Sequence, residues 1–168
     1  MNIAIFEYIV ILCPTVFYNE TYLKRPWVWQ DDDVFCINPK EELFWWFSFF
    51  SKRFQFQETL FVIDDMISDE KLNKRRTPLL QLAATGRHKK HTLWFLTQDY
   101  TAIPKSVRRQ KKQVFLWDPD DTSDFEQVMK ETGKAVPRDK NIDLQLQRGP
   151  HTCLYIRVKY PKQYHILD

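Results

Sequence analysis

Two neighbouring carboxylates, Asp64 and Asp65, follow the apolar run Leu60-Phe61-Val62-Ile63. Four apolar residues, two of them β-branched, predict a strand buried on both faces. Open α/β sheets bind ligands in a crevice beyond the carboxyl ends of their strands. A dry strand that delivers Asp-Asp to that crevice is how nucleotide hydrolases hold magnesium and orient a water, the Walker B arrangement. In that chemistry Asp64 serves the metal and Asp65 orients or deprotonates the attacking water. The same pair also reads as a strand end capping the turn that follows. The companion motif is missing. A phosphate-cradling loop needs G-x-x-x-x-G-K-[ST], and the only glycines are Gly86, Gly133 and Gly149. Gly133-Lys134 has Val128 where the first glycine belongs and Ala135 where the hydroxyl belongs.

Other residues suit the same crevice. Thr97-Gln98 ends the apolar run Thr92-Leu93-Trp94-Phe95-Leu96, where a strand-end amide can sense a γ-phosphate; a solvated strand end is the plainer account. Gly86-Arg87-His88-Lys89-Lys90-His91 offers an arginine, Arg87, whose fork matches phosphate oxygens and never loses its charge. A basic turn favoured by a helix C-terminus reads equally well. His88 and His91 lack a third ligand at metal spacing. Lys105, Arg108, Arg109, Lys111 and Lys112 suit DNA phosphates, or form a solvated basic face. Asp69-Glu70-Lys71 faintly resembles a metal-dependent nuclease site, but lies too close in sequence to Asp64 for two separate strands.

The elements that must position these groups are legible. Tyr8-Ile9-Val10-Ile11-Leu12 is the best part of a strand from Ile3 to Cys13, closed by Pro14-Thr15. Val34 to Ile37 is a short strand. Asn38 can cap a helix with Pro39 in its first turn and Glu41 completing a capping box. That helix runs from Glu42 to about Phe54 and is apolar nearly all round, so it is buried on more than one side or docks a partner. A basic helix is expected over Asp69 to Ala84, stopped by Gly86. A short basic helix follows Pro104, and Gln113 to Trp117 is a strand ending in Asp118. Asp121 caps a helix from Thr122 to Thr132, with Asp124 completing the box and Gly133 stopping it. Cys153 to Val158 alternates like an edge strand. Strands alternating with helices predict a doubly wound α/β sheet, with Thr15, Asp64-Asp65, Thr97-Gln98 and Asp118 along one crevice.

Composition narrows the partners. The 168 residues predict one domain with thirteen Phe, seven Tyr and six Trp in its packing. The net charge is only +3, yet twelve of the 25 basic residues lie between Lys71 and Lys112, against Asp99 as the sole acid there. Such a block suits a polyanion. Three cysteines with no C-x-x-C fit free thiols in a reducing compartment. The apolar start carries no basic leader, is interrupted by Glu7 and ends at Pro14, so neither a signal peptide nor a membrane span is expected. An intracellular, not secreted, protein follows.

In this order the segments resemble the DNA-packaging ATPases of large eukaryotic DNA viruses and virus-like transposons, the poxvirus-type branch of the FtsK/HerA superfamily. The resemblance rests on Tyr8 to Thr15 with Asn19-Glu20-Thr21-Tyr22, then Phe61 to Asp65, Gly86-Arg87-His88, Leu96-Thr97-Gln98, Ile103-Pro104 and Arg108-Arg109. It spans about Tyr8 to Asp118. It implies an incomplete P-loop NTPase-like α/β fold, a mainly parallel sheet flanked by helices, with the first strand and P-loop helix absent. It further implies an oligomeric motor that uses magnesium and ATP to drive double-stranded DNA into a capsid. On it Asp64 is the metal-side carboxylate, Asp65 activates water, Gln98 with Thr97 senses the γ-phosphate, and Arg87 acts on a neighbouring subunit. Homo-oligomeric and capsid partners follow from it too. The family's first strand, glycine-rich loop and helix would precede Tyr8, where only seven residues stand. That strand lies in the family between those represented by Thr92–Leu96 and Val114–Trp117, which must then close up, admit a substitute or leave edges exposed. The chain therefore reads as an ATPase-like domain inactive alone, or alternatively as a non-catalytic DNA- or subunit-binding remnant.

Overall fold

The computed structural model of the chain describes residues 5–39, 42–65, 76–117, 122–132, 152–158 and 163–167. The chain divides into two compact units, Met1–Gln98 and Asp99–Asp168.

In the first unit β1 (Tyr8–Leu12), β2 (Val34–Ile37), β3 (Thr59–Asp64) and β4 (His91–Leu96) run parallel in the order β2-β1-β3-β4. β3 is buried from Thr59 through Ile63, as a β-branched, uncharged strand covered on both faces must be. Helices supply the covers. On one face α1 (Glu20–Leu23) and α2 (Pro26–Gln30) bring Tyr22 and Val28 against Ile11, Leu60 and Val62. On the other, α3 (Leu43–Arg53) packs rings onto rings. Its Phe47 meets Phe61 at 6.0 Å, Phe50 meets Phe35 at 5.3 Å, and Phe54 just beyond it stacks on Tyr8 at 4.1 Å. The outer side of α3 is not covered by this unit's sheet: Trp45 and Phe49 are stacked and exposed.

α4 (Arg76–Thr85) runs into a 3₁₀ turn, Gly86–Lys89, that leads to β4. Gly86 does not stop the helix by a left-handed conformation; that conformation belongs to Lys90, with φ 61°. Gly86 is small for another reason, since a Cβ there would lie 3.0 Å from the His91 carbonyl oxygen. The capping box expected between Asn38 and Glu41 lies partly outside the described residues. The Asn38 amide donates to the Pro14 carbonyl at 2.6 Å, and Glu42 stands at the start of α3 without a side-chain cap.

The second unit has α5 (Lys105–Arg108), β5 (Gln113–Trp117), α6 (Thr122–Thr132), β6 (Cys153–Arg157) and β7 (Gln163–Leu167). Its sheet is antiparallel in the order β5-β6-β7. Two expectations change here. β5 does not extend the parallel sheet, and β6 is the middle strand of three because β7 covers the edge it was expected to expose. Leu154 and Ile156 of β6 are fully buried against Phe125, Val128 and Met129 of α6. Asp124 of α6 accepts the Tyr100 backbone N–H at 2.7 Å. The expected helix start at Asp69, the Asp121 cap, the Gly133 stop and the strand end at Asp118 lie outside the described residues.

Candidate functional site

The carboxyl edge of the parallel sheet collects the groups expected there from the first unit. Asp64 pairs with Leu96 in the β3–β4 register, and the Asp65 N–H donates to the Leu96 carbonyl at 3.2 Å. The two strands therefore end level, with Asp64-Asp65 beside Thr97-Gln98. β1 ends level with them, Leu12 opposite Ile63, so Cys13-Pro14-Thr15 leave the sheet at the same edge. Asp64 is half-buried, while Asp65, Gln98 and Thr15 are exposed. Asp65 has φ 52°, a left-handed conformation that aspartate adopts more readily than most residues. The chain thus turns off the strand immediately after Asp64.

Asp64 carries a hydrogen bond that sequence gave no reason to expect. The Tyr22 hydroxyl donates to its Oδ2 at 2.7 Å. Burial, and then this bond, push the Tyr22 phenol well above the usual tyrosine range, so it remains a donor. The Cys13 thiol lies close by, 3.3 Å from the Thr15 hydroxyl. Burial raises it, with Asp64 adding to the effect against the Thr15 hydrogen bonds. Burial likewise lifts Cys36 to about 11. None of the three cysteines is in a disulfide. Raised thiols are poor nucleophiles, so the site's chemistry rests on oxygen. In the sequence Tyr22 stands only in the run Asn19-Glu20-Thr21-Tyr22, which says nothing about Asp64.

Arg87 sits elsewhere. Its 3₁₀ turn precedes β4, placing this exposed arginine at the amino edge of the sheet. The six residues of β4 separate the two edges by roughly 20 Å. Arg87 and Asp64 of one chain do not share a site.

The basic segment of the second unit divides in two. Lys105, Arg109 and Lys112 are exposed. Arg108 and Lys111 instead pair inward with Glu131. Arg108 is 8% exposed; its Nη2 reaches Glu131 Oε1 at 2.8 Å and its Nε also donates to Glu131, while its Nη1 donates to the carbonyls of Tyr100, Thr101 and Ile103. Lys111 Nζ lies 3.1 Å from Glu131 Oε2. Their heads face an internal carboxylate. Lys71, Lys74 and Arg75 of the basic block, Asp69-Glu70 and Gly133-Lys134 lie outside the described residues.

The donor set was tested against magnesium. Among the described residues no three His, Cys, Asp or Glu side chains gather as a metal cage. Asp64 with Asp65 beside it supplies one or two carboxylates, which fits magnesium held jointly with waters and nucleotide phosphates. No helix among the described residues is long and apolar enough to cross a membrane.

No protein-family model matches the chain, and no curated protein does. Solved structures do. The genome packaging NTPase B204 from Sulfolobus turreted icosahedral virus 2 in complex with ATP-γS superposes with a TM-score of 0.63 at 14% identity, over 96% of this chain and 81% of that one. Its complex with AMPPCP gives 0.66 at 14% identity, over 96% and 82%. Its complex with sulfate gives 0.59 at 12% identity, over 99% and 98%. The α/β fold expected from the resemblance is the fold found.

Proposed function

We propose that the carboxyl edge of the parallel sheet is the metal and water-activating side of a magnesium–ATP site in a genome-packaging motor. The observation that carries this is the level ending of β3 and β4, which sets Asp64-Asp65 beside Thr97-Gln98. The fold shared with B204, whose structures hold ATP-γS and AMPPCP, supports it. Asp64 would hold magnesium, which when bound neutralises phosphate charge. Asp65 orients a water, and Gln98 with Thr97 contacts the γ-phosphate. Arg87, at the opposite edge, serves the nucleotide of a neighbouring subunit in an oligomer. Lys105, Arg109 and Lys112 contact the backbone of double-stranded DNA.

The 168 residues contain no glycine-rich loop ending in Lys-Ser or Lys-Thr, so nothing in them cradles a triphosphate strongly. This favours a second reading, a DNA- or subunit-binding protein without turnover. Thermal shift with millimolar ATP-γS separates the two. The motor assignment expects stabilisation that requires magnesium and disappears in Asp64→Asn, with no hydrolysis above background by this chain alone. No magnesium-dependent shift in the unaltered chain would remove the nucleotide site and leave the binding protein.

A further inference from the structure

Tyr22 is 8% exposed and reaches the end of β3 from a helix of four residues. Three contacts fix it in place. Asn19 caps that helix by accepting the Thr21 N–H at 2.9 Å. The Trp29 indole N–H donates to the Tyr22 carbonyl at 3.0 Å. The ring packs in the cluster of Ile11, Val16, Val28, Leu60 and Val62. A buried tyrosine hydroxyl needs a partner, and backbone carbonyls commonly supply one. Here the partner is the Oδ2 of Asp64, the carboxylate at the mouth of the sheet.

We propose that Tyr22 is the positioning residue of Asp64, pinning Oδ2 so that the carboxylate offers a divalent cation one oxygen, Oδ1. This rests on the metal-side role of Asp64 proposed above. A ligand held by a fixed outer partner is already oriented when the ion arrives. A single carboxylate oxygen also discriminates between ions. Magnesium and manganese accept one carboxylate oxygen among waters in an octahedron, whereas calcium takes more oxygens and often both of a carboxylate.

The probe is Mn²⁺ alone, its binding followed by water-proton relaxation and challenged with Ca²⁺. In the unaltered chain Ca²⁺ should compete only in excess, and Asp64→Asn should abolish binding. Tyr22→Phe should weaken Mn²⁺ binding by about 10–100-fold, the usual loss for an outer partner, and narrow the Mn²⁺ to Ca²⁺ preference. Val28→Ala, from the same cluster, should lower the melting temperature yet keep that preference. A Tyr22→Phe protein that binds Mn²⁺ with unchanged strength and preference overturns the positioning role and leaves Asp64 intact. Equal competition by Ca²⁺ in the unaltered chain overturns it without any variant. No Mn²⁺ binding, either alone or with millimolar ATP-γS, overturns both the metal-side role of Asp64 and the inference built on it.

Discussion

Glu131 is the residue on which the second unit's polar interior converges. Arg108, Lys111, Tyr100 and Gln127 all donate to its carboxylate. Burial alone would raise its pKa, but the hydrogen bonds from Gln127, Tyr100, Arg108 and Lys111 bring it down to about 2. A depressed carboxylate contributes stability that is complete above its unfolded pKa and is lost as pH falls from there toward 2. Glu131→Ala strands Arg108 as a buried charge, and equilibrium urea unfolding should show a loss of about 3–5 kcal/mol. A loss below about 1 kcal/mol, the worth of an exposed pair, would show that Arg108 finds water instead. The sequence could not reveal this. Arg108 and Lys111 stand in a run of cations that looks uniform, and their partner lies 23 and 20 positions downstream. Tyr22 was hidden the same way, since its bond to Asp64 spans 42 positions. Asp64, by contrast, was legible because strand and carboxylate are adjacent in the chain.

Elements whose pattern is local were readable, and pairings were not. The strands at Tyr8–Leu12, Thr59–Asp64 and His91–Leu96 follow directly from apolar runs. β7 was overlooked although Tyr164 and Ile166 alternate with exposed neighbours, and without it β6 looked like an edge. The start of β4 shows how tertiary contacts then act on one residue. His91 is buried, edge-on to Phe61 at 5.2 Å, with Nε2 3.1 Å from the Phe54 carbonyl. Burial lowers its pKa, with Lys89 adding to this against the Phe54 hydrogen bond. The folded chain therefore prefers the neutral ring. Stability is complete above the unfolded histidine pKa of 6.5 and falls as acid charges the ring in the unfolded chain first. Melting temperature should drop from pH 7.5 to 5.5, and His91→Gln should flatten that drop. Parallel curves for the two proteins would clear His91 of the effect.

At the scale of the whole chain, an outermost strand of each sheet carries exposed apolar side chains. β4 bonds only to β3 among the described residues, and its Trp94 is 50% exposed. β5 bonds only to β6 among the described residues, with Phe115 46% and Trp117 58% exposed. Neither β4 nor β5 contains the lysine or proline that usually protects an edge strand. Charge was legible only as a total. The basic block reads as five cations of the second unit, of which Lys105, Arg109 and Lys112 are exposed and carry the proposed DNA contact. Each phosphate contact contributes about 0.9 to the slope of log affinity against log salt, so three contribute roughly 2.7. Replacing these three with alanine should flatten the slope for double-stranded DNA by that amount, whatever the sequence of the duplex. Lys111→Ala should leave the slope unchanged, because its side chain is 13% exposed and its ammonium is paired with Glu131. A triple variant with an undiminished slope would move the DNA contact to other basic residues. A Lys111→Ala slope reduced by about 0.9 would mean that DNA draws this lysine out of its internal pair.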